Sequence, residues 1–171
     1  MAKDADAIEA DFLALYDESA DALFRHCYFR VSDRELARDL TQEAFTRTWE
    51  YLASGKSVSH LRAFLFRTAG NLVIDHYRRK KEISLEALAD AGFDPSGDEY
   101  LAIPELAAGR EAMQAVALLD EGHKHVILLR YVDGLSIGEI ALIRKESENA
   151  VSVRIHRALK KLNDLLHHAR P

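Results

Sequence analysis

The stretch LLRYVDGLSIGEIALIRKESENAVSVRIHRALKKL (128–162) decides the fold. Ser136-Ile137-Gly138-Glu139 supplies the hydroxyl and carboxylate of a capping box, which satisfies orphan amides at the start of a helix. It opens a short helix reaching about Ile143. Ser147 caps a longer helix over about 148–166, leaving a turn of three to four residues between the two. A short helix, so tight a turn and a basic second helix describe a helix-turn-helix. At about 100° per residue, Val151, Ile155, Ala158, Leu159, Leu162 and Leu166 share one side of the second helix. Opposite them fall Asn149, Val153, His156, Arg157 and Lys160, with Ser152 at the flank. Set in a major groove, Val153 meets a thymine methyl, Asn149 an adenine edge, and Arg157 and Lys160 phosphates or guanine. A plain helical hairpin with a solvated outer face fits the same periodicity, and spacing alone leaves both readings open.

Helical spacing continues upstream. Ile8, Phe12, Leu15, Tyr16, Leu23, Phe24 and Cys27 recur at intervals of three and four. Ser32-Asp33-Arg34-Glu35 reads as a capping box for a helix to about Leu52, with Leu36, Leu40, Ala44, Thr48 and Tyr51 inward. Asp39, Gln42, Glu43, Thr46 and Glu50 form a polar stripe on the other side. Acids at i, i+4 repel by about 0.2–0.5 kcal/mol, which a basic or hydrogen-bonding partner would relieve. After the polar loop ASGKSVSH (53–60), a third helix runs from Leu61 to about Lys81. It is apolar almost all round its middle, a pattern that calls for enclosing neighbours. Its outer line is Arg67, Asn71, Ile74 and Arg78, with Gly70 beside it and Lys56, Ser57, Ser59 and His60 just before. With Phe64, Phe66 and Tyr77 nearby, this reads as a basic groove for single-stranded nucleic acid, or as a basic face whose aromatics belong to the core. Residues 110–119 and 122–132 read as two more helices, broken near Asp120-Glu121-Gly122.

The chain has 171 residues, 48% of them apolar, which excludes disorder throughout. Apolar runs are too short for the ~20 residues of a membrane span. The polar, acidic N-terminus MAKDADAIEA lacks a signal pattern, and the expectation is a soluble cytoplasmic protein without membrane insertion. Cys27 is the one cysteine, so neither an internal disulfide nor a thiolate zinc site forms. The net charge of −5 hides strong segregation. Residues 60–81 carry six bases against Asp75, a net of +5; residues 82–111 carry eight acids against Arg110, a net of −7. Residues 144–171 turn basic again, with seven bases and three acids. Local patches of this size track phosphates despite an acidic average. The architecture expected is all-α: two small helical domains, 1–82 and 110–171, joined by an acidic linker, 83–109, that includes DAGFDPSGDEYLAIP (90–104).

Together these constellations resemble the extracytoplasmic-function (ECF) class of bacterial sigma factors in the sigma-70 family. DLTQEAFTRTWEYL (39–52) is similar to the core-binding helix of region two. FLFRTAGNLVIDHYRRKK (64–81) is similar to the helix that melts the promoter and recognises its −10 element, and 128–162 to region four. The resemblance implies that Asp39, Gln42, Glu43 and Thr46 dock on the clamp of the largest subunit of core RNA polymerase, with a second contact to the flap of the second subunit. It implies that the 53–60 loop, with Lys56, Ser57 and His60, captures a flipped base of the non-template strand. Arg67, Asn71, Arg78 and Arg79 then read or hold its neighbours; extruding the base costs a few kcal/mol. It further implies that Ser147, Asn149, Ser152, Val153, His156, Arg157 and Lys160 meet the −35 duplex of promoter DNA. No catalytic residue, metal or cofactor is implied; an anti-sigma factor is a further partner of many members. The acidic linker would thread polymerase channels, or cover the basic groove.

Five residues depart from the family's usual pattern. Arg144-Lys145-Glu146 stands where the family usually places Leu-Gly and a small residue; a left-handed turn position favours glycine, so a slightly different turn or modest strain is expected. Gly138 stands where an acid is common and Asp120 where proline is. Among rival readings, an enzyme would need more than Asp75-His76, His123, His125 and His167-His168, none of which has ligand spacing with a carboxylate on one helix. Asp75 is expected in a buried ion pair. A helix-turn-helix regulator acting on duplex DNA without polymerase leaves the 39–50 stripe and the 56–78 groove without a task. A purely protein-binding adaptor leaves both basic patches unexplained.

Overall fold

The computed structural model describes the backbone of residues 2–88 and 107–168, and the side chains of 6–80 and 112–167. Regular structure among them is helical: α1 (Ala2–Val31), α2 (Arg34–Ala53), α3 (Leu61–Leu88), α4 (Ala107–Ala117), α5 (Glu121–Ile127), α6 (Ile137–Arg144) and α7 (Glu148–His168). A widened π-helical turn, Leu128–Val132, continues α5. The chain divides into two units, 1–101 and 102–171. Most of the expected 83–109 linker, and the 90–104 stretch within it, lies outside the described residues; at its ends α3 reaches Leu88 and α4 begins at Ala107. No helix of the described residues is long and apolar enough to cross a membrane.

In the first unit α1, α2 and α3 pack against one another. Leu23 and Cys27 of α1, Ala37 and Ala44 of α2, and Leu65 and Ala69 of α3 are completely buried, and the alanines let the helix axes approach closely. Thr48 is also sealed, with its hydroxyl donating to the Ala44 carbonyl at 2.8 Å, so the buried oxygen is satisfied. The α1–α2 corner differs from the expected capping box. Ser32 adopts a left-handed φ of 53° and its N–H closes α1 on the Tyr28 carbonyl at 2.9 Å. Asp33 therefore becomes the N-cap of α2, accepting from the amides of Glu35 and Leu36 at 2.9 and 3.0 Å. The inward face of α2 takes Phe45 and Leu52, while Leu36 and Tyr51 stay half-buried. Phe45 sits 4.7 Å from Tyr16 and 6.1 Å from Phe12, centroid to centroid.

Enclosure of α3 is one-sided. Phe66, Leu72 and Val73 are buried, but Ile74 is 64% and Tyr77 46% exposed. The Tyr77 hydroxyl donates to the Arg30 carbonyl at 2.5 Å, tying α3 to the end of α1. Gly70 faces inward rather than along the outer line: a Cβ there would lie 4.0 Å from Nε2 of buried His26, whose ring meets Phe66 edge-on at 5.3 Å. Asp75 is exposed, so the buried ion pair expected for it does not form.

The second unit wraps α4, α5 and α6 around α7. Val126, Leu135, Ile140, Val151 and Ala158 are completely buried. Gly134, at φ 67°, makes the left-handed turn into α6 that a side chain would strain. Both arms of the α6 capping box form: Ser136 Oγ accepts from the Glu139 amide at 3.2 Å, and Glu139 Oε2 from the Ser136 amide at 2.8 Å. The inward stripe of α7 narrows toward its end, where Leu159 is exposed and Leu162 and Leu166 are half-buried.

Leu23→Ala opens a cavity at a completely buried position of the first unit. It is expected to lower the stability of the first unit by about 2–4 kcal/mol. Trp49 is the one tryptophan in the chain, so its fluorescence in a urea titration reads that unit. A loss below about 1 kcal/mol would contradict this packing.

Candidate nucleic-acid and partner interfaces

The α2 stripe faces outward in full: Asp39, Gln42, Glu43, Thr46 and Glu50 are exposed. The Thr46 hydroxyl donates to the Gln42 carbonyl at 3.0 Å. Arg47 Nε donates to Glu43 Oε1 at 2.7 Å, so the expected Asp39–Glu43 repulsion is offset within the helix. An exposed apolar patch borders the stripe and was not foreseen from spacing. Trp49 packs on Phe12 at 5.1 Å and is 37% exposed, beside Leu13 at 54% and Tyr16 at 47%. The signal lay in Leu13, which falls outside the three-and-four series of α1.

At the 53–60 loop, Lys56, Ser57 and His60 are exposed, as are Arg67, Asn71, Arg78 and Arg79 on α3. A cation–aromatic ladder joins loop and helices. The rings of Tyr51 and Phe64 lie 4.7 Å apart, Lys56 Nζ is 5.0 Å from the Tyr51 centroid, and Arg67 Cζ is 5.5 Å from that of Phe64. Each such contact contributes about 0.5–1 kcal/mol at an exposed site. Lys56 and Arg67 are thus gathered at one half-open aromatic pair. Arg78 and Arg79 stand some three turns further along α3, about 16 Å at 1.5 Å per residue. The aromatics divide: Phe66 belongs to the core, Phe64 and Tyr51 to this ladder. Tyr51, expected on the inward side of α2, is half-buried and turns its ring to this ladder.

On α7, Ser147, Asn149, Ser152, Val153, His156, Arg157 and Lys160 are exposed, opposite buried Val151, Ile155 and Ala158. Ser147 Oγ accepts from the Ala150 amide at 3.2 Å, capping the helix. Val153, 41% exposed, sits amid the polar line rather than in the core.

The turn before α7 has unusual chemistry. Lys145 ends α6 in the left-handed region, φ 56° and ψ 42°, at a cost of about 1–2 kcal/mol for a non-glycine residue. Next to it, Glu146 Oε1 accepts from Arg144 Nη2 at 2.8 Å and Nε at 3.2 Å. Both Glu146 oxygens accept from Arg154 Nη2 of α7 at 3.2 Å. The Arg144 hydrogen bond, working against burial and helped by Arg154, holds the Glu146 carboxyl below its ordinary 4.5. A second pair of ties anchors α5 to α7: Asp120 Oδ2 accepts from Lys161 Nζ at 2.9 Å and meets His123 Nδ1 at 2.5 Å. Lys161, then His123, hold the Asp120 carboxyl far below the usual carboxylate range. At Gly138, a Cβ would come within 3.2 Å of a Glu148 carboxylate oxygen, so an acid there would crowd a like charge. Among the described residues no group of three or more His, Cys, Asp or Glu is placed to hold a metal ion.

Residues 15–83 match the family Sigma-70 region 2 and residues 109–162 match Sigma-70, region 4. This chain belongs to the ECF class of the sigma-70 family. It is 30% identical to the ECF RNA polymerase sigma factor SigX of Bacillus subtilis over 161 residues, covering 91% of this chain and 83% of that protein. It is 31% identical over 170 residues to the ECF RNA polymerase sigma factor BldN of Streptomyces coelicolor, spanning 95% of this chain but 63% of that longer relative. The structure of CnrH, solved in complex with the cytosolic domain of CnrY, aligns at a TM-score of 0.66 and 25% identity, covering 98% of this chain and 95% of CnrH. The chain is accordingly an alternative sigma factor, of the kind that directs transcription initiation by RNA polymerase.

The turn yields two expectations for the second unit. Lys145→Gly removes the left-handed penalty and raises its stability by up to about 1 kcal/mol, part of the gain being lost to glycine's unfolded-state freedom. Glu146→Gln removes a group with a depressed folded-state pKa. Such a group stabilises fully above its unfolded value near 4.5 and ceases to as pH falls through the lower folded value. The melting-temperature gap between wild type and Glu146→Gln should therefore be open near neutrality and close below pH 4.5. A gap unchanged across that range would contradict the pairing.

Proposed function

We propose that the α2 stripe docks this sigma factor on the clamp of the largest polymerase subunit, through Asp39, Gln42, Glu43 and Thr46. The exposed Trp49, Leu13 and Tyr16 patch extends that face with apolar contact area. The Lys56–Tyr51–Phe64–Arg67 ladder, with Ser57, His60 and Asn71, receives the displaced −10 strand, on which stacking and cationic contact act together. Arg78 and Arg79 follow its backbone. In the second unit α7 enters the −35 major groove, with Asn149 and Val153 at base edges and Arg157 and Lys160 at phosphates or guanine. The domains are then 1–82 for core docking and the −10 element, 83–109 as tether, and 110–171 for the −35 element and the flap of the second subunit. The cytoplasm is the compartment this work requires, and an anti-sigma factor the partner that would restrain it. No step of bond chemistry is assigned to this chain.

One observation carries the reading of α7. Every residue of its recognition line is exposed while Val151, Ile155 and Ala158 on the opposite side are buried in the unit, which leaves the line available to a groove. Adding the purified chain to core polymerase should produce RNA from defined starts on cognate genomic promoters; absence of both polymerase binding and specific starts would reject the proposal.

Two substitutions divide the labour. Glu43→Lys reverses charge on the docking face and breaks the Arg47 pair. It is expected to weaken polymerase association at least tenfold while stability changes by less than about 1 kcal/mol. Unfolding instead would show the stripe to be structural. Arg157→Ala with Lys160→Ala should weaken duplex binding and reduce the slope of log affinity against log salt by about 1.8, two phosphates' worth of released counterions. An unchanged slope would take both side chains off the phosphates.

A further inference from the structure

Glu146 is the point at which three helices of the second unit are tied together. Its carboxylate bridges Arg144, the last residue of α6, to Arg154 on the second turn of α7. Arg144 Nη1 reaches on to within 3.4 Å of His125 Nδ1 on α5, and Arg154 Nη1 lies 3.6 Å from where a Cβ on Gly122 would stand, across the start of that helix. Arg144 and Glu146 are largely withdrawn from solvent, with side-chain exposures of 16% and 23%. Arg154 sits at the flank of α7, between the buried Val151–Ile155–Ala158 stripe and the exposed line. Core packing sets the rough orientation of α7, and a tie at its flank holds the rotation more finely where the buried stripe gives way to solvent.

We propose that Glu146 is a positioning residue for −35 recognition, fixing through Arg154 the rotation at which α7 presents Asn149 and Val153 to the groove. The inference rests on the reading of α7 as a duplex reader. Rotating a helix of ~10–12 Å overall diameter by about 20° moves side-chain tips by nearly 2 Å. That displacement breaks a base-edge hydrogen bond of 2.7–3.2 Å, while flexible arginine and lysine still reach phosphates. The turn makes the brace necessary. Lys145 is strained and cationic, and without Glu146 it would stand with Arg144 and Arg154 as three like charges around one corner. Base discrimination thus depends on Glu146, whereas nonspecific affinity does not.

The test uses the full chain, alone and with core polymerase, and two duplexes: the best binder the wild type enriches from a randomised pool, and the same duplex scrambled. Glu146→Ala is expected to lower affinity for the enriched duplex about tenfold. Affinity for the scrambled one stays within about twofold and its salt slope is unchanged. Glu146→Gln, which keeps one acceptor and the side-chain size, should fall between, and serves if the alanine variant folds poorly. Lys145→Gly combined with Glu146→Ala should recover melting temperature but not discrimination. Wild-type discrimination in Glu146→Ala, or its recovery by Lys145→Gly, would overturn the proposal, the latter by showing that turn strain alone matters. Failure of the wild type to enrich any duplex would instead contradict the reading of α7 on which this one stands.

Discussion

Burial of Val151, Ile155 and Ala158 against α5 and α6 is the constraint from which the second unit's function follows. A helix advances about 100° per residue, so sealing one side of α7 leaves its opposite line no choice but to face outward. The same rule operates in the first unit, where Ala37, Ala44 and Thr48 at the helix contacts set the Asp39–Glu50 stripe on the free side of α2. Core packing supplies most of the stability and, by geometry, the orientation of every candidate contact. The surface residues contribute little to folding and are free to be chosen for binding.

The faces that this rule exposes on the two units suit different ligands. In the second, a rigid rod with polar and basic tips around Val153 suits an intact duplex, whose information lies at base edges in the major groove. In the first, the half-open Tyr51–Phe64 pair with Lys56 and Arg67 over its rings suits an unstacked strand, which offers aromatic faces and a charged backbone. Polymerase docking by α2 would bring both surfaces to one promoter. The Asp120–Lys161 pair is exposed and individually weak, whereas the Arg144–Glu146 pair is part-buried; neither replaces the apolar core as the source of the unit's stability.

The helices and their order were legible because apolar spacing is a direct record of which side is buried. So was the α7 line, where periodicity is clean and capping residues mark both helix starts. The failures share a cause: contacts between elements leave no local trace. Ser32 looked like a cap until the chain's reversal there required a left-handed residue, which passed the role to Asp33. Tyr51 and Trp49 flank the buried stripe of α2, where a shift of one position decides whether a ring is core or surface. Spacing puts Asp75 on the inner side of α3, yet α1 and α2 pack on a face that does not include it, and among the described residues it is exposed. The turn before α7 was legible as a departure at Lys145, but its remedy was not, since Arg154 meets Glu146 eight residues later only once α7 is seated.

The claim that two separately oriented faces address one promoter is open to direct mapping. A photocrosslinking amino acid placed at Val153, and in a second protein at Asn71, would be taken with core polymerase onto promoter DNA and the attached nucleotides identified. The account predicts that Val153 marks the upstream −35 duplex and Asn71 the non-template strand of the −10 region. Crosslinks from both positions to the same element, or from Val153 to polymerase alone, would contradict it.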